Sequence, residues 1–477
     1  MRTKLTILLA LMLAASACTK HTPQEDPSPS DAHSEETLYY ANMFAFNMMN
    51  GYYLWRDDMV EEIESWTYED DPVQKVADLR YRDSSGKLID KWTRMMEDMR
   101  PFEGSVTGNT ESFGFDFILY YATEDHSKVC IVVTFTYAGS PAAQVLRRGD
   151  VILSLDGTEM TPDNYQDLIR SKLNSGGTVK LGMLNGNSKT LTSSHIYENP
   201  VHTVRTFEFE GRKIAYLHYT GFTPRSASDL VPVFIEFGGW GAQELVLDLR
   251  YNGGGYMTTC TCLASLIAPA EVLDNEVFIK EVYNSRFEEE ETLFKSSLSV
   301  SDGETTYLVD VSQAHAWLNL ERVWIITGGS SASASETLIC GLKPYMDVHT
   351  VGQKTYGKFC GGYLISTESF YSTLAKQEGN NVDCTKAIAA TENWGIYVMA
   401  SRYTDCNGVT LSMPDGIPAD YEAHDNPMDG HELGDPSETM LAATLALITG
   451  KETKAPAQVP VQETLPYHRP GFGILLH

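Results

Sequence analysis

Positive charge is scarce in this sequence, and it is not clustered. Lys and Arg total 36 against 64 Asp and Glu, a formal net charge of −28 over 477 residues. Binding to phosphate groups requires clustered cations, so the composition excludes nucleic acid as a partner, and also an anionic membrane surface bound through basic patches. The only long uncharged apolar run lies at the extreme N-terminus, which excludes a protein with several membrane spans.

Cysteine is also too scarce for a disulfide scaffold. Of eight cysteines, seven follow Cys18 at irregular spacings, and their number is odd. Cys384 and Cys406 lie in polar, loop-like sequence and are the one candidate pair for a disulfide. Cys260 and Cys262 lack the two-residue spacer of a zinc knuckle and have no His pair nearby. We therefore expect neither a metal site nor a cofactor.

The first 17 residues have the pattern of an export signal. A basic start is followed by an apolar run over 5–14, too short to span a bilayer, and by small residues before Cys18. This arrangement resembles a bacterial lipobox, which implies lipidation at Cys18; an ordinary signal peptide with an incidental cysteine stays open. We expect a cell-envelope lipoprotein, periplasmic or surface-exposed, that touches the membrane only through this anchor.

Residues 18–37 are polar and rich in Pro, as expected of a flexible tether. Helical patterns follow over 38–104, with an apolar stripe near Tyr39 and Phe44 and a second pattern over 89–96. The stretch 275–320 is interpreted as an insertion whose four glutamates, Glu288 to Glu291, form a solvated helix face. The last 25 or so residues are predicted to form a loosely held tail.

Between these regions the sequence predicts a strand-rich module and then an alternating one. Segments rich in β-branched and aromatic residues begin near residue 105, and strands alternate with helices from about 205. Such alternation favours a largely parallel or mixed sheet covered on both faces. The predicted strands of this second part are 213–218, 244–249 and 323–327, and the predicted helices are 228–237, late-starting or kinked at Pro232, 257–267 and 334–342.

Residues 105–200 resemble a PDZ domain. The resemblance rests on F-G-F-D at 113–116, A-G-S-P-A at 138–142 and L-R-R-G-D-V-I-L-S-L-D-G at 146–157. It implies that Phe113, Gly114 and Phe115 form a loop that binds a peptide carboxylate, next to a strand edge that accepts the peptide. A β-sandwich in which Gly-Asp only closes a turn is the alternative.

A serine-rich turn carries the candidate nucleophile. Residues 330–336 read S-S-A-S-A-S-E between a predicted strand and a predicted helix, and free helix N–H groups favour developing negative charge at such a position. Taken alone, such a serine is usually a cap or turn residue. The run T-V-G-Q-K-T-Y-G-K follows at 350–358, and L-V-L-D-L-R-Y-N-G-G-G precedes at 245–255.

In this order, with D-G-I-P-A-D at 415–420, the segments resemble the S41 serine peptidases, the carboxyl-terminal processing family. The resemblance implies Ser333 as nucleophile and Lys358, 25 residues later, as base. It also implies oxyanion donors at Gly253 or Gly254 and at Ala334. A desolvated Lys358 would be neutral near pH 7 and able to accept the Ser333 proton.

The implied fold class is a multidomain α+β and α/β protein: a helical N-terminal segment, a PDZ-like β-sandwich and a mixed α/β peptidase domain of the ClpP/crotonase-like type. The implied boundaries are a signal peptide (1–17), a tether (18–37), a helical region (38–104), a PDZ domain (105–204), the S41 peptidase domain (205–450) and a C-terminal tail (451–477). The expected partners are proteins or peptides with accessible C-termini, and an oligomer stays open.

One position departs from the family pattern. The family often has a Gln four residues after the lysine to orient it, whereas this chain has Gly362. Either another group holds Lys358, or its orientation is looser and the activity lower. A third alternative is that the backbone at Gly361 and Gly362 fills the role. Two further alternatives stay open: a Ser-His arrangement using His218, at a strand end, or His349, and a catalytically degenerate PDZ-containing lipoprotein that binds peptides.

Overall fold

The computed structural model describes residues 33–410, 415–450 and 464–467, and the backbone of 474–476. The predicted signal peptide, Cys18 and most of the predicted tether lie outside these residues. Within the described part of the chain, no helix is both long enough and apolar enough to cross a bilayer.

The N-terminal region is only partly helical. Its first helix begins after Ser34, whose Oγ accepts the N–H of Thr37, and it buries Phe44 as predicted. The second predicted helix is wrong, because Asp90 Oδ1 accepts the N–H groups of Trp92 and Thr93 and turns the chain into a short strand. The helices here are Glu35–Tyr52, Val60–Glu64, Pro72–Asp78 and Arg100–Thr107, with a 3₁₀ turn at Arg56–Asp58.

Module 105–204 is built on an antiparallel sheet with one helix, Tyr165–Lys172, and a 3₁₀ turn at Ala142–Gln144. A separate two-stranded ribbon, Asn109–Ser112 with Ser194–Tyr197, closes its base. The first strand of the sheet comes from the tail of the chain. The order is Thr464–Leu465, Phe115–Tyr121, Val129–Thr136, Val151–Leu155, Thr178–Met183 and Ser188–Thr192, with Thr158–Glu159 paired to Val151–Leu155.

The next sheet is largely parallel, as the alternating pattern predicts. After one antiparallel pair, buried β-branched and leucine strands run side by side between two layers of helices. The strand order is Val201–Phe209, Arg212–Tyr219, Glu244–Asp248, Arg322–Thr327, Asp347–Gly352 and Tyr421–Glu422. The helices are Ser226–Trp240, with Pro232 inside it rather than before its start, Met257–Ile267, Ala334–Leu342 and Thr439–Thr449.

A third, mixed sheet lies against the N-terminal region and again includes the tail. Its order is Gly254–Tyr256, Ile474–Leu476, Cys360–Ser366, Gly395–Thr404, Val277–Val282 and Glu290–Leu293, with Arg94–Met96 paired to Gly395–Thr404. The tail is therefore not loosely held where it is described: both of its described segments are sheet strands. The remaining elements are the hairpin Ser297–Ser301 with Thr306–Asp310, the helices Ser312–His315, Thr367–Leu374 and Cys384–Ala390, and a 3₁₀ turn at Ala270–Val272.

Two smaller expectations are corrected. The glutamates at 288–291 do not form a helix face; Glu290 and Glu291 lie on a strand paired with Val277–Val282, and Glu291 Oε1 lies 3.1 Å from Lys280 Nζ. Alternate side chains of a strand reach opposite faces, so the charged run can stay at the sheet edge. Cys384 and Cys406 are free thiols, and Cys384 accepts a hydrogen bond from Asn380 Nδ2 instead.

A buried ionic cluster joins module 105–204 to the parallel sheet. Arg148 donates to Asp425 Oδ1 at 2.8 Å and to the Tyr251 hydroxyl at 2.8 Å. Arg250 donates to Glu438, Asp425 and Asp248 with its guanidinium 1% exposed. Two cations and three carboxylates thus share one buried site. Arg250 and Asp248 directly precede the predicted oxyanion turn in the sequence.

Candidate active site

Ser333 lies at the N-terminal end of the helix Ala334–Leu342, where the parallel strand Arg322–Thr327 leads into the serine-rich turn. It is fully buried, and its backbone has φ 61° and ψ −112°. A non-glycine residue in this region is strained by about 1–3 kcal/mol and is held there by its surroundings. Ser333 Oγ donates its proton to no acceptor among the described residues.

Lys358 is also fully buried, in an aromatic environment. Its Nζ donates to the Tyr397 hydroxyl at 2.9 Å and lies 5.4 Å from the ring centre of Trp92. Burial in these surroundings disfavours the ammonium and lowers the pKa of Lys358 to about 7. A substantial fraction of the side chain is therefore the neutral amine at neutral pH, as a general base requires.

A single carboxylate holds the backbones of both residues. Glu336 Oε2 accepts the N–H of Ser333 at 2.9 Å and the N–H of Lys358 at 2.8 Å. The two backbone nitrogens are therefore at most about 5.7 Å apart, the combined length of the two bonds. Burial raises the pKa of Glu336 to about 7, against the opposing effect of its hydrogen bonds. The sequence analysis missed this role, although Glu336 is the last letter of the S-A-S-A-S-E motif.

The segment D-G-I-P-A-D at 415–420 completes this support. Glu336 Oε1 accepts hydrogen bonds from Gly357 N–H at 2.8 Å and from Thr355 Oγ1 at 2.6 Å. Thr355 Oγ1 in turn accepts the N–H of Ile417 at 2.6 Å, and a Cβ at Gly416 would lie 2.1 Å from Thr355 O. The D-G-I-P segment therefore fixes the loop that carries Lys358, and its glycine is needed for close approach.

The predicted oxyanion turn lies against the serine-rich turn. The backbone carbonyl of Asn252 accepts Ala332 N–H and Ser335 Oγ–H, both at 3.1 Å. Gly254 N–H is already bonded to Asn252 Oδ1 at 2.9 Å, which removes it as an oxyanion donor. Within the described residues, the N–H groups of Gly253 and Ala334 have no partner, so of the three predicted donors these two stay available.

The group that the sequence left unnamed beside Lys358 is Tyr397. It lies on the strand Gly395–Thr404, which pairs with Cys360–Ser366, the strand that carries Gly362. A Cβ at Gly362 would lie 2.5 Å from Val398 O and 2.9 Å from the Tyr397 ring. The space of the family's glutamine is therefore filled, and the Tyr397 hydroxyl contacts the amine from the neighbouring strand.

The predicted carboxylate loop is less open than expected. Phe113 and Phe115 are 3% and 4% exposed and belong to the core of module 105–204. Gly114 has φ 78°, but its N–H is bonded to Ser112 Oγ at 2.9 Å. The three residues lie together as predicted, while the groups that would receive a peptide carboxylate are partly engaged within the loop itself.

The histidine alternatives gain no support. His218 is fully buried rather than a surface residue: its Nδ1 lies 3.0 Å from Nδ1 of His202, and burial lowers its pKa well below the ordinary value. His349 stacks on Trp324 with ring centres 4.4 Å apart. In the described ranges there is also no group of three or more His, Cys, Asp or Glu side chains arranged to hold a metal ion.

Part of the chain matches a known protein family. Residues 213–423, which include Ser333, Lys358 and Glu336, match the model of peptidase family S41. This part of the chain is therefore similar to peptidase family S41. The match covers the parallel strands of the sheet, but not Val201–Phe209, together with the loops that carry the site.

Curated relatives to which this chain is similar include carboxyl-terminal processing proteases. That of Picosynechococcus sp. is 26% identical over 280 residues, covering 57% of this chain and 60% of its own length. The protease CtpB of Bacillus subtilis is 24% identical over 272 residues, covering 55% and 50%. The chain thus spans only about half to three-fifths of the curated relatives it matches.

A solved structure of a candidate S41 protease from Bacteroides fragilis has the same fold over most of this chain. Its TM-score is 0.63 at 21% identity, and the match covers 90% of this chain and 99% of that one. The mixed α/β architecture predicted from the sequence is therefore confirmed. The match extends well beyond the segment 213–423.

Proposed function

We propose that this chain is a serine-type endopeptidase of the carboxyl-terminal processing type, with Ser333 as nucleophile and Lys358 as general base. The observation that carries the proposal is the shared Glu336 oxygen, which brings the backbones of a strained, buried serine and a buried lysine together. The lowered pKa of Lys358, about 7, supplies the neutral amine that the serine requires.

The reaction follows from these groups. The amine of Lys358 takes the proton of Ser333 Oγ as the oxygen attacks the carbonyl carbon of the peptide bond. The oxyanion that forms is stabilised by the N–H groups of Gly253 and Ala334, a contribution of about 2.7–4 kcal/mol for each such donor. Lys358 then gives the proton to the leaving amine as the C–N bond breaks. Water, deprotonated by the same amine, hydrolyses the acyl ester.

Tyr397 is proposed as the positioning residue for Lys358. A lysine side chain has four rotatable bonds, and a buried amine without a fixed partner would sample several rotamers. The 2.9 Å hydrogen bond to the Tyr397 hydroxyl restricts this freedom. Its strand is paired with Cys360–Ser366, so the hydroxyl has a fixed place relative to the lysine loop.

The substrates are proposed to be exported proteins or peptides whose C-termini bind module 105–204 as a PDZ-like reader. The antiparallel sheet, the helix Tyr165–Lys172 and the positive φ of Gly114 support this role. The envelope location and the lipid anchor at Cys18 belong to the same proposal and rest on the sequence pattern alone.

The Ser333→Ala variant tests the proposal. We expect hydrolysis of an internally quenched peptide to fall to background, with the thermal melt unchanged, while Ser369→Ala, an exposed serine on the helix Thr367–Leu374, keeps full activity. A fluorophosphonate probe should label Ser333 in the parent chain only. Full hydrolysis by Ser333→Ala would refute the assignment. Peptide binding without any hydrolysis by the parent would favour the degenerate, binding-only alternative.

A further inference from the structure

The tail of the chain adds a strand to the open edge of module 105–204. Leu465 pairs with Leu119 and Thr464 with Tyr120, antiparallel to the strand Phe115–Tyr121. The Leu465 side chain is 8% exposed and packs into the core of the module. Backbone pairing at a sheet edge with alternate side chains in pockets is how extended peptides are bound by β-augmentation.

Helix and strand contacts fix the tail further along the same edge. The Tyr165 hydroxyl, on the helix Tyr165–Lys172, donates to the carbonyl of Pro466 at 3.2 Å. Tyr467 stacks on Phe117 with ring centres 5.1 Å apart and donates to Asn174 Oδ1 at 3.0 Å. Since the pairing is antiparallel, the tail runs along this edge toward Phe115 and the predicted carboxylate loop.

A second tail segment lies at the candidate active site. Ile474–Leu476 pairs in parallel with Gly254–Tyr256, the strand that directly follows the oxyanion candidate Gly253. On its other side, Leu476 pairs with Gly362 of the strand Cys360–Ser366, which begins two residues after Lys358. The segment Ile474–Leu476 therefore lies between the strands Gly254–Tyr256 and Cys360–Ser366. It occupies the strand edges with which an extended substrate would need to pair.

A cavity of about 150 Å³ connects the two sites. Phe117 and Tyr467 line it on the side of the module, and Gly253, Gly254 and Ser330 line it on the side of the peptidase sheet. A peptide bound at the module edge therefore faces the oxyanion turn across a short open space.

We propose that the tail is a built-in competitive inhibitor: the strands Thr464–Leu465 and Ile474–Leu476 occupy, within the same molecule, the two tracks that a substrate peptide uses. This inference rests on the proposed function for its effect on catalysis, but not for the docking itself. A tethered segment competes at an effective concentration of about millimolar. An external peptide must displace it at both edges, so only substrates that bind the module well gain access.

Two substitutions in the full chain release the tail at different points. Leu465→Asp places a charge in the apolar pocket of the module, and Leu475→Pro removes a backbone N–H from the middle of a strand that lies between two others. The matched controls are Thr464→Asp, at the exposed neighbouring position, and Leu475→Val, which suits a strand. We expect each releasing variant to raise kcat/KM toward a quenched peptide by about tenfold or more, and each control to stay within about twofold.

A binding measurement separates this inference from the proposed function. In a Ser333→Ala background, fluorescein-labelled peptide 461–477 should bind the Leu465→Asp, Leu475→Pro chain at least about tenfold more tightly than the chain with its native tail. Equal binding and equal turnover in folded variants would overturn the inference. No turnover in any variant, together with unequal binding, would refute the peptidase and leave the docked tail standing. Should one variant fail to melt cooperatively, the other decides.

Discussion

The pKa of one buried basic side chain, Lys358, is shifted down, whereas those of two others, Arg148 and Arg250, are shifted up. Lys358 lies under aromatic rings and a tyrosine hydroxyl, and burial lowers its pKa to about 7. Arg148 and Arg250 are as deeply buried, and desolvation acts on them in the same direction. Tyr251, Asp425 and Glu438 outweigh desolvation at Arg148 and raise its pKa above the ordinary range. Asp248, Glu438 and Asp425 do the same at Arg250.

The comparison shows that burial alone does not decide the charge of a side chain. Carboxylates in direct contact keep the arginines ionised, and the cluster joins module 105–204 to the parallel sheet. The lysine is surrounded by weakly polar rings, so a larger fraction of it is the neutral amine, which can accept a proton near pH 7. The same fold therefore contains one buried cation site that is held by carboxylates and another that contains the proposed general base.

The largest expected effect comes from Lys358→Met, which removes the amine proposed as the general base. Without a base, kcat/KM should fall by about 10⁴-fold. Because a buried amine is replaced by an apolar side chain of similar length, the free energy of unfolding should rise by about 1 kcal/mol. Peptide hydrolysis and urea unfolding measure the two. Lys354→Met, at an exposed lysine of the same loop, is the control and should change neither. If Lys358→Met kept a tenth of the parent's kcat/KM, Lys358 would not be the general base.

Arg250→Met tests the cohesive side. Removal of this guanidinium leaves three buried carboxylates short of a partner, so the free energy of unfolding should fall by about 3–5 kcal/mol. Urea titration followed by tryptophan fluorescence gives the value, with Arg170→Met, on an exposed helix face of module 105–204, as the neutral control. A stability unchanged by Arg250→Met would mean that the cluster contributes nothing to cohesion.

Tyr397→Phe should have the smallest effect on activity. It tests whether the Tyr397 hydroxyl orients Lys358 and affects its pKa. The pKa of Lys358, lowered to about 7, predicts that activity rises with pH as the ammonium loses its proton, with a midpoint near 7. Without the hydroxyl that accepts a hydrogen bond from Nζ, the charged form is less stable, so the midpoint should move to lower pH. Looser orientation should lower kcat by about tenfold.

A pH series of kcat and KM separates these effects for Tyr397→Phe. A merely structural role for Tyr397 would lower activity at every pH and leave the midpoint in place. Tyr363→Phe, at a tyrosine on the strand paired with that of Tyr397, is the matched control and should keep the midpoint of the parent.

The sequence was sufficient for the parts of the site that lie in short contiguous motifs. The strand Arg322–Thr327, the helix Ala334–Leu342 and their connecting turn follow from local patterns, and the helix bounds agree with the prediction. The position of Ser333 at that turn follows as well. The pairing of Ser333 with Lys358 as a catalytic unit remains a prediction that the proposed experiments address.

What the sequence did not yield depends on contacts between distant segments. Tyr397 approaches Lys358 only because Gly395–Thr404 pairs with Cys360–Ser366, and no local pattern specifies that register. The loss of Gly254 as an oxyanion donor depends on the rotamer of Asn252. The tail was misjudged because its polar, Pro-containing composition resembles a linker, while its strands borrow their partners from two other parts of the chain.

The carboxylate of Glu336 also limits how this molecule can be regulated. It accepts hydrogen bonds from the backbones of the proposed nucleophile Ser333 and the proposed base Lys358. Thr355 also donates to this carboxylate, and Ile417 donates to Thr355. Separating Ser333 from Lys358 would break several of these hydrogen bonds at once. Inactivation by distortion of the site would therefore require a large free energy. Regulation is therefore easier through the peptide segment that occupies the strand edges beside the site, because its exchange leaves the Glu336 hydrogen bonds intact.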